Sequence, residues 1–266
     1  MLLLDLENCD QGYSPTQWQR DRLPKEFHEK VRVIFDGVDT AVWRRQDAGE
    51  RRIGGWPLPP GQRIVTYVSR GLEALRGFDV FMKLAHRLCG LRSDVLFLVV
   101  GEDRIAYGGD QRFTEGLSFK QWVLSQENYD LSRILFLGRL TTGELARLFS
   151  ISDLHVYLTV PFVLSWSLMD ALACGATVLA SDVGPVREMV RHEDNGLLVD
   201  FFDLDRMTDW AMKVLDDPWA FRPLGEAGTR MIHEHYSLEQ CLPRMLSLYQ
   251  ETLDQFRGSS APGGEF

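Results

Sequence analysis

From Arg63 onward, short apolar runs rich in β-branched residues alternate with stretches whose apolar positions recur at helical spacing. The runs Ile64 to Val68, Val95 to Val100, Ile134 to Leu137, His155 to Thr159, Thr177 to Ala180 and Leu197 to Val199 are mostly apolar throughout, as strands covered on both faces must be. Between them, Phe78 to Leu88 has helical periodicity, Thr142 to Phe149 opens on a capping-type Thr followed by Glu144, and Ser167 to Cys174 stops before Gly175. Strand and helix in alternation predict an α/β fold, a doubly wound parallel sheet with helices on both faces. After Asp200 the strands stop and three helices are expected, over Asp205 to Leu215, Trp219 to His233 and Leu238 to about Phe256.

Thr40 to Gln62, with Gly54-Gly55, Pro57, Pro59-Pro60 and several arginines, reads as a linker or surface excursion rather than core. The tail from Gly258 to Phe266 has too little apolar surface to order itself. The expected division is therefore a leader over 1–36, a hinge and linker over 37–62, the main domain over 63–257 and a disordered tail over 258–266. With 45% hydrophobic and 25% charged residues in 266, the composition is that of an ordinary globular chain. A net charge of −9 argues against nucleic acid as a partner. Met1-Leu2-Leu3-Leu4 is broken at once by Asp5 and Glu7, too short for a signal sequence or a membrane span. Four scattered cysteines without a CxxC pair suggest neither a structural metal nor a redox motif, and fit reduced thiols in the cytoplasm.

In open α/β sheets ligands bind beyond the carboxyl ends of the strands. Here those ends run into Ser69-Arg70-Gly71, Gly101-Glu102-Asp103, Gly138-Arg139, Thr159-Val160-Pro161 and Ser181-Asp182-Val183-Gly184, gathering glycines and charges on one edge. Neither a dinucleotide fingerprint nor a P-loop is present, so a bound phosphate needs other donors, and the forked guanidinium groups of Arg70 and Arg76 are candidates. Ser165 suits a helix N-cap, and the free N–H groups of the turn it opens, through Trp166 and Ser167, suit an anion. Asp170 is the only charge between Phe162 and Ala180. A carboxylate there needs a partner, either an arginine or a pair of sugar hydroxyls.

These residues resemble the nucleotide-sugar-binding, C-terminal half of a GT-B glycosyltransferase, similar to the retaining enzymes of glycosyltransferase family 4 (group 1). The family's hinge is matched by Asp36-Gly37-Val38-Asp39, its strand-end Arg and following basic residue and Gly by Arg70, Arg76 and Gly77, and its Glu-Ala-Met-Ala-Cys-Gly motif by Asp170-Ala171-Leu172-Ala173-Cys174-Gly175. Ser181-Asp182, Gly184 and Glu188, and then Asn195-Gly196-Leu197-Leu198-Val199, match in order. The resemblance implies that Arg70 and Arg76 hold the donor diphosphate and are the catalytic groups, that Asp170 contacts the ribose, that Gly138 and Arg139 lie near the base, and that Ser165, Trp166 and Ser167 offer a helix N-terminus to the phosphates. It implies no cofactor or metal, only a nucleoside diphosphate sugar as donor.

Two departures accompany the likeness. The family's first acidic residue falls on Phe162, and its second is shortened to Asp170. The acceptor-side domain is expected to be largely absent, with residues 1–36 as its remnant and Ser14 to Gln19 as its last turn and helix, leaving Leu2 to Leu4 and Trp18 exposed and sticky. The resemblance thus implies hexosyl transfer from the donor to a sugar or lipid-linked acceptor, with this chain supplying the donor half. The acceptor side would come from the missing domain or a partner chain, and peripheral contact with the inner membrane face stays open. The alternatives are a non-catalytic nucleotide-binding or partner module of the same fold and, third, another GT-B enzyme such as an epimerase.

Overall fold

A computed structural model describes residues 2–46 and 52–259. Three short helices and strands open the chain: α1 (Leu2–Asn8), β1 (Gly12–Ser14) and α2 (Gln17–Arg20), followed by β2 (Val31–Val33), which pairs parallel to β1. Leu6, Phe27 and Val31 form a small core beneath them. A two-residue hairpin, β3 (Arg52–Ile53) with β4 (Trp56–Pro57), precedes the main sheet.

The main sheet contains β5 (Arg63–Gly71), β6 (Val95–Glu102), β7 (Ile134–Gly138), β8 (Leu154–Tyr157), β9 (Val178–Ser181) and β10 (Leu197–Val199), all parallel, in the order β10-β9-β8-β5-β6-β7. All six expected strands are present, and their order reverses at β5/β8, the switch point of a doubly wound sheet. The helices are α3 (Phe78–Leu91), α4 (Phe119–Gln126), α5 (Thr142–Ile151), α6 (Trp166–Ala173), α7 (Gly184–Arg187), α8 (Leu204–Asp216), α9 (Pro218–Met231) and α10 (Leu238–Ser259). Strand alternation divides the core. Val65, Tyr67, Phe97 and Val99 face α3, α4 and α8, while Ile64, Leu96 and Leu98 face α5.

Three expectations need correction. The segment before the sheet is exposed over Gly54 to Pro57 and Pro59 to Gly61, as a surface excursion would be, but it is not free of core: Ile53 and Leu58 are 2% and 4% exposed and pack with Ile64, Leu98 and Leu148, with Gly54 and Gly55 at positive φ in the turn between β3 and β4. The last helix continues through Gly258 to Ser259, so the expected tail begins too early, and 260–266 lie outside the described residues. Trp18 is packed rather than sticky. Its indole lies on Gly184, where a Cβ would come within 2.2 Å of the ring, and the Glu188 carboxylate accepts the backbone N–H groups of Gln17 (2.8 Å) and Trp18 at the start of α2. The leader therefore retains a packing partner, although Leu2, Leu3 and Leu4 are 56–66% exposed as expected.

His155 on β8 is fully buried, with Nδ1 2.9 Å from Thr66 Oγ1 and, among the described residues, no partner for Nε2. Burial lowers its pKa from 6.5 to about 3. The unfolded chain therefore binds a proton below pH 6.5 that the folded chain refuses, and stability falls with pH by up to ~1.4 kcal/mol per unit from this group. In urea melts at pH 7.5 and 5.5, His155→Gln should lose less stability across that interval than the parent. Gly184→Ala should cost about 1–3 kcal/mol by driving a methyl into Trp18. Gly143→Ala, with nothing within 4 Å, should leave the urea midpoint unchanged or slightly raised.

Candidate functional site

Strand β5 pairs with β8 only at Val65 and Thr66, and then runs on to Gly71 without a neighbour on that side. The strands part there, which opens a crevice at the carboxyl edge of the sheet. Within it is a cleft of about 490 Å³ lined by Arg70, Gly138, Arg139, Ser165, Ser167 and Asp170, six of the eight residues expected at the site. A second cleft of about 380 Å³ contains Arg76 and Trp166, and it shares Arg70 and Ser165 with the first. The expected residues therefore form two adjoining clefts, with one arginine and one helix start at their junction.

Arg76 is only 6% exposed. The chain leaves it through Gly77, whose φ of +63° turns the backbone into α3 and whose Cβ would stand 2.7 Å from Leu158 Cβ. Its Nη1 donates to Thr159 Oγ1 at 3.0 Å, and the guanidinium lies over the rings of Tyr107 and Phe162, 5.5 and 5.6 Å from their centroids. Among the described residues no carboxylate pairs with it. Arg70 is exposed, donates from Nη1 to Tyr107 Oη at 3.1 Å, and likewise has no acidic partner among the described residues. Two cations without counter-charges thus flank the junction.

Ser165 stands at the N-cap of α6, but its hydroxyl does not cap. It pairs with Ser167 Oγ at 3.0 Å, while its N–H donates to Tyr157 Oη at 2.9 Å. Trp166 and Ser167 therefore keep backbone N–H groups that meet no acceptor among the described residues. Free donors at a helix start, beside two arginines, have the chemistry to hold an anion. Trp166 is 62% exposed, and its indole N–H bonds to the carboxylate of Asp36 in the hinge.

Asp170, one turn further into α6, meets neither the arginine nor the exposed stripe open to it in the sequence. Its carboxyl has no hydrogen-bond partner among the described residues, and burial pushes its pKa from 3.8 up to about 7. The cleft walls around it hold Gly138, at φ +64° with open space beside it, and the exposed Arg139. An acceptor so placed could take hydrogen bonds from hydroxyl donors.

Sequence reasoning passed over Glu73 and Tyr107. Glu73 is fully buried in the turn between β5 and α3, and its Oε2 accepts the consecutive N–H groups of Ala106, Tyr107 and Gly108 at 2.8–2.9 Å. This fixes the loop that lays Tyr107 against both arginines. An isolated acid between Arg70 and Arg76 was the available signal.

Among the described residues no helix is long and apolar enough to cross a membrane. The model for glycosyl transferases group 1 matches residues 50–232, and that for the glycosyl transferase family 4 group matches residues 1–43. N-acetyl-alpha-D-glucosaminyl L-malate synthase of Bacillus anthracis is 24% identical over 87% of this chain and 58% of its own length. Sucrose-phosphate synthase from Thermosynechococcus elongatus shares the fold with a TM-score of 0.77 at 24% identity, over 94% of this chain and 60% of that one. Anabaena HepE in complex with UDP-glucose does so with a TM-score of 0.71 at 16% identity, over 94% and 64%. The chain spans 48–58% of the length of the first curated relatives it matches. The group 1 match covers well over half of the chain and takes in every lining residue of both clefts except Pro15 and Gln19, so the chain belongs to the group 1 glycosyl transferases.

Proposed function

We propose that this chain supplies the donor half of a hexosyltransferase and binds a nucleoside diphosphate sugar across the two clefts. The observation that carries this reading is Arg76, a buried cation with no carboxylate partner among the described residues, beside Arg70 and the free N–H groups of α6. The diphosphate lies at the junction, and the nucleoside extends into the larger cleft with its ribose hydroxyls donating to Asp170. Gly138 and Arg139 border the base. As the bond from the sugar to the diphosphate breaks, negative charge grows on the departing oxygens, where the arginines and helix donors already point. No metal or cofactor is needed for that stabilisation.

The acceptor side belongs to another α/β unit, in the same protein or a partner chain. The two-stranded parallel sheet β1–β2 is too small to stand alone, and Leu242, Leu246, Tyr249 and Leu253 expose an apolar stripe along α10, 47–58% accessible. Such a unit would carry the sugar or lipid-linked acceptor.

Arg76→Met should weaken UDP, GDP or ADP binding, whichever the parent binds, by about 1.5–3 kcal/mol in calorimetric titration, the worth of a charge-assisted hydrogen bond. Because no buried carboxylate is left behind, its urea midpoint should not fall in step. Loss of stability with unchanged affinity would make Arg76 structural.

Ribose hydroxyls favour the ionised form of Asp170, so affinity should rise as pH climbs through about 7 and decline by up to ~tenfold per unit below it. The probe is the nucleotide sugar, whose diphosphate does not itself titrate near neutrality. Asp170→Asn should bind more weakly and show a flatter pH profile. In the free protein the raised pKa makes this group's contribution to stability fall as pH rises from about 4 to 7, so the same substitution should stabilise at pH 8 relative to pH 5.

A further inference from the structure

Two buried acids tie the turn after β5 to the loop after β6. Glu73, fully buried in the turn, accepts the N–H groups of Ala106, Tyr107 and Gly108 on Oε2 at 2.8–2.9 Å, and Asp110, 4% exposed in the loop, accepts the N–H of Ala74 on Oδ2 at 2.9 Å. Each acid thus holds the backbone of the segment opposite, and three amides converging on one oxygen form a concavity suited to negative charge. The segments also meet closely, since a Cβ on Gly71 would stand 2.4 Å from the carbonyl oxygen of Arg104. Tyr107 is the side chain that this clasp presents. Its ring centroid is 5.5 Å from the guanidinium carbon of Arg76 and 5.9 Å from that of Arg70, and its hydroxyl accepts Arg70 Nη1 at 3.1 Å.

Arg70 and Arg76 carry like charge and repel, and a single aromatic ring against both attracts each of them. Arg76 is held by its burial, whereas Arg70 is exposed on a long stem whose freedom is lost when a ligand binds. Tyr107 removes part of that freedom beforehand, and its hydroxyl occupies one of the five guanidinium N–H donors and leaves four for a ligand. The ring can do this only while its own backbone is fixed, and Glu73 fixes it at the Tyr107 N–H and at the residue on either side. We propose that Tyr107 and the Glu73–Asp110 clasp position the diphosphate site: Tyr107 holds Arg70 and Arg76 ready for the ligand, and the clasp holds Tyr107. The proposal rests on the donor-half reading above. Glu73 is enclosed by protein and touches no ligand, so its effect on binding passes through Tyr107.

The test is a double-mutant cycle on the full chain, read by calorimetric titration with whichever of UDP, GDP and ADP the parent binds and, by displacement of that diphosphate, with the corresponding nucleoside. Tyr107→Ala, at a 46% exposed side chain, should weaken the diphosphate about two- to tenfold, the cost of ordering one long side chain on binding, and leave the nucleoside unchanged. Glu73→Gln keeps the size of the side chain but gives the three amides a neutral acceptor, so it should cause a loss no larger than that and confined again to the diphosphate. Combined with Tyr107→Ala it should add nothing, because the residue it acts through is gone. Should Glu73→Gln not fold, Asp110→Asn takes its place in the cycle with the same expected pattern. Losses that add in the double variant, losses that fall equally on the nucleoside, or full diphosphate affinity in either single variant overturn the proposal and leave the donor-half reading standing. Failure of the parent to bind any of the three nucleotides overturns both.

Discussion

A guanidinium group taken out of water without a counter-ion is costly, and among the described residues Arg76 is in that state. Two hydroxyls, one distant carbonyl and two aromatic faces compensate it in part: Thr159 Oγ1 at 3.0 Å, Tyr157 Oη, Val163 O at 3.5 Å, and the rings of Tyr107 and Phe162. Aromatic faces attract a cation but cannot neutralise it. The rest of the site follows from this deficit. The residual charge is directed to the crevice where β5 and β8 part, and there it adds to Arg70 and to the unsatisfied N–H groups of α6. An anion bound at that point would satisfy all of them together.

Glu73 is the electrostatic converse. Its carboxylate is as deeply buried as Arg76, yet it is not spent on an ion pair with either arginine; three backbone N–H groups solvate one of its oxygens. Had it bonded to Arg76, the cation would be neutralised and its uncompensated charge would be lost. Its binding energy instead goes into the shape of the loop after β6, and through Tyr107 that shape forms a wall of the smaller cleft. Phe162 has a compatible role. At a position where the family resemblance leads one to expect an acid, a phenyl ring lies beside the guanidinium and leaves its charge available.

The strands were legible because a strand covered on both faces has little choice of residue, and each of the six runs was read to within a few positions of its ends. Arg70, Arg76 and Asp170 were legible as charges at strand ends or in apolar surroundings. Their division between two clefts was not, since it depends on where β5 loses its neighbour. Helix α4 was overlooked: it has eight residues, and its clearest sign is the Ser118–Gln121 capping box. Contacts made through backbone N–H groups leave no mark on composition or periodicity, which is why the link from Glu73 to a loop 33–35 residues away could not be seen beforehand.

The leader obeys the same physics. Taken alone, residues 1–36 look like a piece cut from something else, with an exposed Trp18 as the consequence. In the folded chain a glycine at 184 provides a flat seat for that indole, and Glu188 four residues later accepts the N–H groups at the head of α2. Both belong to the turn and short helix that follow β9, on the ligand edge of the sheet. Because α2 is anchored there, Pro15 and Gln19 are carried to the rim of the smaller cleft, and the leader thereby becomes part of the site's wall. Motif residues such as Gly184 and Glu188 therefore have a structural task in this chain that requires no ligand. Their presence in the sequence is evidence for the packing of the leader before it is evidence for the donor.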